Sequence, residues 1–163
     1  MPVVFYPDPR LVRAARPRPP DDALRATADR LLAAAAELAA YGLAAAHLGE
    51  VEPVVVVSLA ADPAQRDYRL LFNPAIVAVA AQSELGTEGS VSLPGAEVQV
   101  QRPVWAEIAF VDAQGAAQTL RLEGWPARIA LHEIEQMQGR FFLECVSRLK
   151  RDMVLRKWRK RAG

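Results

Sequence analysis

The sequence has a single cysteine, Cys145, so no internal disulfide can form and nothing argues for an oxidising compartment. It also lacks any apolar run approaching the roughly 18 residues that a membrane span needs. Its first residues, MPVVFYPDPR, contain neither the basic nor the apolar segment of a secretory signal. A soluble, cytoplasmic protein with no membrane partner is expected. Net charge is nearly absent as well: the formal value of +1 creates no global field toward nucleic acid, and DNA is not an expected partner. Internal repeats and low-complexity linkers are missing too. What is present is 163 residues, of which 52% are apolar and 24% charged, a balance that supports one sizeable core rather than disorder. The expectation is a single domain over residues 1–163.

The small net charge hides an uneven distribution. From position 148 onward the chain carries Arg148, Lys150, Arg151, Arg156, Lys157, Arg159, Lys160 and Arg161 against one acid, Asp152. Such a block is either a solvated helix face or a contact for a polyanion such as ribosomal RNA.

Pro2, Pro7, Pro9, Pro17, Pro19 and Pro20 punctuate the first twenty residues, which read as an extended, irregular arm because proline fixes φ and donates no hydrogen bond. Asp21 and Asp22 suit a helix N-terminus. Leu24, Ala28, Leu31, Leu32, Ala35 and Leu38 then recur at helical spacing, predicting an amphipathic helix over 22–41, ended by Gly42. Residues 53–59 and 68–79 read as strands, the second interrupted at Asn73 and Pro74. A polar stretch containing Gly86, Gly89, Pro94 and Gly95 reads as loops around SVSL. Alternation returns in EVQVQ, VWAEIAFV and AQTLRLEG, with a hairpin among them and a turn over 112–115.

From Pro126 to Gln138 the period is helical again, with Ile129, Ile134 and Met137 on one face and Gly139 as its C-terminal stop. Residues 141–146 read as a short strand and 147–163 as a basic helix. This order predicts an α+β fold, antiparallel strands around a central helix, with further helices near each end.

The chemistry concentrates in LHEIEQ on the central helix. Residues i and i+4 share a helix face, so His132 and Gln136 project together with Glu133 one step around. In an H-E-x-x-H motif that spacing lets two imidazoles hold zinc while the glutamate acts as general base. Here the second position is an amide, a much poorer ligand. Taken alone, the stretch also reads as an ordinary amphipathic helix with a partly buried histidine.

Three separated segments together resemble the peptide deformylase family. Residues 40–47 (AYGLAAAH) match G-x-G-L-A-A-x-Q, residues 88–92 (EGSVS) match E-G-C-L-S, and residues 132–139 (HEIEQMQG) match H-E-x-D-H-x-x-G. YPDPRL near the start, the FNP at 72–74 and the FFLECVSRLKR after Gly139 are similar too, so the resemblance runs nearly end to end. It implies the deformylase fold and a family reaction in which a divalent metal (iron, zinc or nickel) serves to hydrolyse the N-formyl group of formylmethionyl peptides.

The departures sit at the catalytic centre. The resemblance places the three metal ligands at Ser90, His132 and Gln136, where the family has one cysteine and two histidines. It places the donor to the formyl oxygen at His47, where the family has glutamine. Glu133 matches the general base, and the amide of Val91 matches a group that stabilises the tetrahedral intermediate. Tyr41, Gly42 and Leu43 match the segment that pairs with the peptide as an added strand. The partners so implied are peptide N-termini and, because similar basic C-terminal helices dock some members there, the ribosome. A serine hydroxyl stays protonated at neutral pH and binds metal weakly, so the set has lost its one anionic ligand and the inherited reaction should be lost or strongly reduced.

Two routes would keep an enzyme. His47 and His132 could hold a shifted metal together with Glu133 or Gln136, or Ser90 could serve as nucleophile with His47 or His132 as base and the Val91 amide as oxyanion donor. The bland reading makes these groups a satisfied polar network in an old pocket. Under every reading Glu133 needs a hydrogen-bonding partner such as His132 or Ser90, or else a raised pKa. Cys145 reads as a small buried hydrophobe or as a reactive thiol.

Overall fold

The computed structural model describes residues 3–162. Helix α1 (Asp22–Leu38) begins where the Asp21 carboxylate accepts the Leu24 amide at 2.8 Å, an N-cap that satisfies one of the four free donors of the first turn. The helix stops three residues short of the span predicted from its periodicity. Ala39 adopts the left-handed conformation (φ 50°) and closes it, and Gly42 instead opens strand β1 (Gly42–Ala44).

Strand β2 (Val54–Ser58) pairs antiparallel with β1, and the long β3 (Tyr68–Val79) pairs with β2. β3 runs through Asn73 and Pro74 rather than ending there, with the register shifting between Phe72 and Ala75 and Asn73 held at φ 48°. The polar stretch expected to form loops is paired strand instead. It folds as β4 (Ser83–Ser90) against β5 (Leu93–Pro103), a separate two-stranded sheet. β6 (Trp105–Val111) and β7 (Ala117–Glu123) form a hairpin across the predicted turn and complete a five-stranded sheet in the order β1-β2-β3-β6-β7.

Strand β2 shows why the large sheet is central. Side chains alternate across a strand, so Val55 and Val57 meet one layer while Val54 and Val56 meet the other. The first layer is helix α2 (Trp125–Met137), through Ala127, Ala130, Leu131, Ile134 and Met137; the second is α1, through Leu24, Ala28, Leu31 and Ala35. With both faces covered, all four valines are fully buried.

A third cluster joins β5 to the N-terminal arm and to helix α3 (Arg148–Ala162) through Leu93, Val98, Val100, Leu11, Phe141 and Leu155. The run predicted as a strand over 141–146 is a 3₁₀ turn, Phe142–Cys145. Its apolar residues Phe142 and Leu143 pack into this cluster. Residue 163, the end of the predicted basic helix, lies outside the described residues. The arm does not float free: the Ala15 amide donates to the Met137 carbonyl at 2.9 Å. It crosses the end of α2 at Gly139 (φ +86°), where a Cβ would lie 2.9 Å from both the Ala14 nitrogen and the Val12 oxygen. Glycine is required there by conformation and by space.

Candidate functional site

A cavity of about 540 Å³ opens where β1, α2 and the end of β4 meet. On α2, Trp125, Ile129 and Glu133 fall at i, i+4 and i+8, so one face of the helix lines the cavity from its apolar mouth to its polar floor. Most of the residues singled out from sequence converge on it: Tyr41, Gly42, His47, Ser90, Val91, His132 and Glu133 all line the cavity. Leu43 and Gln136 do not. Leu43 follows Gly42 on a strand, so its side chain turns to the opposite face, where it is fully buried against α1.

The backbone of β1 is nonetheless well placed for a strand-like ligand. β1 is an edge of the large sheet. The Ser58 amide donates to the Tyr41 carbonyl, and Gly42 stands opposite Val57, so by the alternation of an antiparallel ladder the polar groups of Gly42 face the open edge. Space there is minimal. A Cβ on Gly42 would come within 2.7 Å of Ile129 Cγ2, 2.9 Å of Glu133 Cγ and 3.0 Å of the Val56 oxygen. Gly42→Ala is therefore expected to cost about 1–3 kcal/mol of stability by overpacking and to push Ile129 and Glu133 into the cavity. Urea denaturation checks the first effect, and an unchanged midpoint would show that the strand can yield.

At the floor, His47 is 1% exposed, and its Nδ1 accepts the Ala44 amide at 3.0 Å. That bond fixes the tautomer: in the neutral ring the proton sits on Nε2, which faces the Ser90 hydroxyl at 3.5 Å. Burial pushes the His47 pKa down to about 3, with the nearby His132 charge adding to the effect, so the ring is neutral and serves as a donor. As a base for Ser90, or as a metal ligand through Nε2, it would have to give up the Ala44 bond.

His132 is held differently. Its Nδ1–H donates to Glu88 Oε1 at 2.7 Å, leaving Nε2 on the other side of the ring. Burial alone would lower its pKa, but the Glu133 and Glu88 carboxylates outweigh that and raise it. Glu88 is the hub of the site. It accepts Arg102 Nε and Nη2, each at 2.9 Å, and Arg128 Nη1 at 2.8 Å. Burial opposes its charge, yet these partners hold its pKa down to about 2. Arg102 also reaches Glu135 at 2.8 Å, and Arg128 gives further bonds to the carbonyls of Glu84 and Val100.

The sequence reading missed both arginines. Arg102 continues the buried alternation of Val98 and Val100 on β5, and Arg128 stands one turn before His132 on a helix that is mostly buried. A charge in phase with core positions was the available signal.

Gln136, expected beside His132, is turned to the arm: its Nε2 donates to the Leu11 carbonyl at 2.6 Å, and its Oε1 has no partner. Glu133 makes no hydrogen bond to any described residue; His47 Nδ1 lies 3.9 Å from its Oε1. Burial raises its pKa to about 7. Of the two outcomes expected for Glu133, the raised pKa is the one present, and the floor is not a fully satisfied network. Ser90 Oγ accepts the Ser92 amide at 3.1 Å. Among the described residues no group of three or more His, Cys, Asp and Glu side chains is arranged to hold a metal ion. Only His132 presents a prepared ligand atom, so the residues do not fit a tightly held divalent metal. Cys145 is half-buried between Glu135 and Arg102, and burial pushes its thiol up, away from reactivity.

Known proteins resemble the chain as a whole. A family model described as polypeptide deformylase matches residues 1–152. A protein of Bradyrhizobium diazoefficiens named peptide deformylase-like is 38% identical over 98% of this chain and 92% of its own length. A peptide deformylase of Mesorhizobium japonicum is 34% identical over 99% and 92%. The crystal structure of peptide deformylase from Ehrlichia chaffeensis superposes with a TM-score of 0.91 at 25% identity, covering 99% of this chain and 96% of that one.

Proposed function

Since the chain belongs to the peptide deformylase family, whose reaction is hydrolytic removal of an N-formyl group, we propose that it keeps the family's peptide groove and has given up the metal-dependent step. The observation that carries this reading is the Gln136 side chain, whose amide is committed to the Leu11 carbonyl at the position where the resemblance calls for a metal ligand. Ser90, a hydroxyl, stands at the second such position. The groove itself is intact in outline: an open β1 edge with Gly42 facing it, and an apolar mouth of Tyr41, Trp125, Ile129 and Val91 leading to the polar floor. Peptide N-termini are its proposed ligands.

The neutral, Nε2-protonated His47 weighs against the two alternative enzymes. A shifted metal site would need a lone pair on that nitrogen, and a Ser90 nucleophile relying on His47 would need it as a base. Elemental analysis of anaerobically purified protein, with deformylase activity assayed on the same sample, tests the proposal. The expected result is far less than one iron, zinc or nickel per chain and no turnover. Near-stoichiometric metal with turnover would overturn it.

For the basic helix we propose a contact with RNA. On α3 the only ion pair between described side chains is the exposed Arg148–Asp152 pair at 4.0 Å, so Lys150, Lys157, Arg161 and their neighbours are free to meet phosphates. Ribosome co-sedimentation should weaken steeply between low and moderate salt, because each neutralised phosphate releases counterions. Binding that is absent, or indifferent to salt, would sink this contact.

A further inference from the structure

A second cavity, of about 590 Å³, lies between helix α3 and the start of β5. That volume is in the range of small-molecule sites. On the helix, Lys150, Lys157 and Arg161 fall at i, i+7 and i+11, so they share one face and line the cavity together with Trp158. From the strand come Ala96 and Glu97. The Trp158 indole N–H donates to the Pro94 carbonyl at 2.9 Å, which ties the half-buried ring to the strand. Neither the three cations nor Glu97 makes an ion pair or hydrogen bond through its side chain to another described residue.

The lining is mixed, and the mixture narrows the ligand. Three cations spread over roughly 16 Å of helix axis suit a chain of phosphates rather than a single carboxylate. Glu97 would repel a ligand made of phosphates alone. Its carboxylate calls for N–H donors beside the phosphates, and the indole for a flat ring to lie against. A nucleotide has all three. In a duplex the base is stacked and its pairing edge is used, so only an unpaired strand can turn a base into such a recess. Guanine sets two donors, N1–H and N2–H, side by side to meet both oxygens of a carboxylate. Uracil offers one N–H between two carbonyls.

Resting on the RNA contact proposed for α3, we infer that the cleft between α3 and β5 receives an unpaired guanosine of an RNA strand. The base lies along Trp158 with its pairing edge on Glu97, and the flanking phosphates meet Lys150, Lys157 and Arg161. The basic helix is then a reader of single strands and not only a counterion for any polyanion.

Fluorescence anisotropy at fixed salt, with a labelled uridine hexamer and the same hexamer carrying one central guanosine, tests this. The guanosine strand is expected to bind roughly tenfold more tightly, the scale of one bidentate base contact. The same exchange within a fully paired hairpin stem should change nothing. Glu97→Gln should erase the preference while the uridine strand binds at least as tightly as before, because that side chain is exposed and holds no other residue in place. Lys157→Glu combined with Arg161→Glu should weaken both strands by on the order of tenfold or more. Equal binding of the two strands, a guanosine advantage that survives Glu97→Gln, or one that persists in the stem overturns the inference and leaves the RNA contact standing. Binding of no RNA overturns the contact itself.

Discussion

Restoring Ser90→Cys and Gln136→His together is expected to convert the chain into one that holds close to one divalent ion per molecule, read by elemental analysis after dialysis. The physical case is that the third ligand is already prepared. His132 donates its Nδ1–H to the buried Glu88 carboxylate at 2.7 Å, which orients the ring and leaves Nε2 available; such carboxylate–histidine pairs are the usual support of a metal-binding imidazole. A thiolate at position 90 would restore the one anionic ligand. A histidine at 136 could give its Nδ1–H to the Leu11 carbonyl, the bond the glutamine amide now makes at 2.6 Å, and turn Nε2 the other way. Each single reversion should bind weakly, since two ligands do not hold zinc or iron against dialysis. If the double variant folds and takes up no metal, the pocket has drifted beyond its ligands. Its idleness would then not be a matter of two side chains.

Glu88→Ala should produce the largest loss of stability of any single change at the site. The carboxylate is 5% exposed and neutralises parts of Arg102, Arg128 and His132, all themselves buried. Removing one partner of a buried ionic cluster leaves uncompensated charge and costs about 3–5 kcal/mol. For a chain of this length that corresponds to a fall in Tm on the order of 10 °C. Arg102 would keep Glu135, at 2.8 Å, and His132 the nearby charge of Glu133, but Arg128 would keep no carboxylate. Thermal denaturation followed by circular dichroism measures the effect. A fall of less than about 2 °C would mean that water or rearranged side chains satisfy the arginines and that Glu88 is not the hub of the site.

Much of this was legible in the residues. The 3.6-residue periods of α1 and α2, the β-branched run of β2 and the hairpin of β6 and β7 were readable because local pattern and tertiary burial agree there. The stretch around Gly86 and Gly89 misled for the opposite reason. Its glycines signal loops, yet they lie in a paired strand, and at Gly86 a Cβ would meet the Arg128 guanidinium at 2.6 Å. The glycine makes room for a side chain 42 positions away, which no local rule can see. The end of α1 was missed because Ala39, not a glycine, adopts the left-handed turn.

The sequence by itself determined the family, the α+β order of elements and the convergence of His47, Ser90, His132 and Glu133, because a motif's spacing on a known scaffold carries its geometry with it. Only the tertiary structure decided what those groups can do there. That His47 is a donor follows from a bond to the Ala44 amide, that Gln136 serves the arm follows from Leu11 lying 125 positions away, and that Glu133 stands alone follows from Arg102 and Arg128 closing on Glu88 instead. Protonation and hydrogen bonding are set by which partners arrive in space, and the chain order of those partners does not specify it.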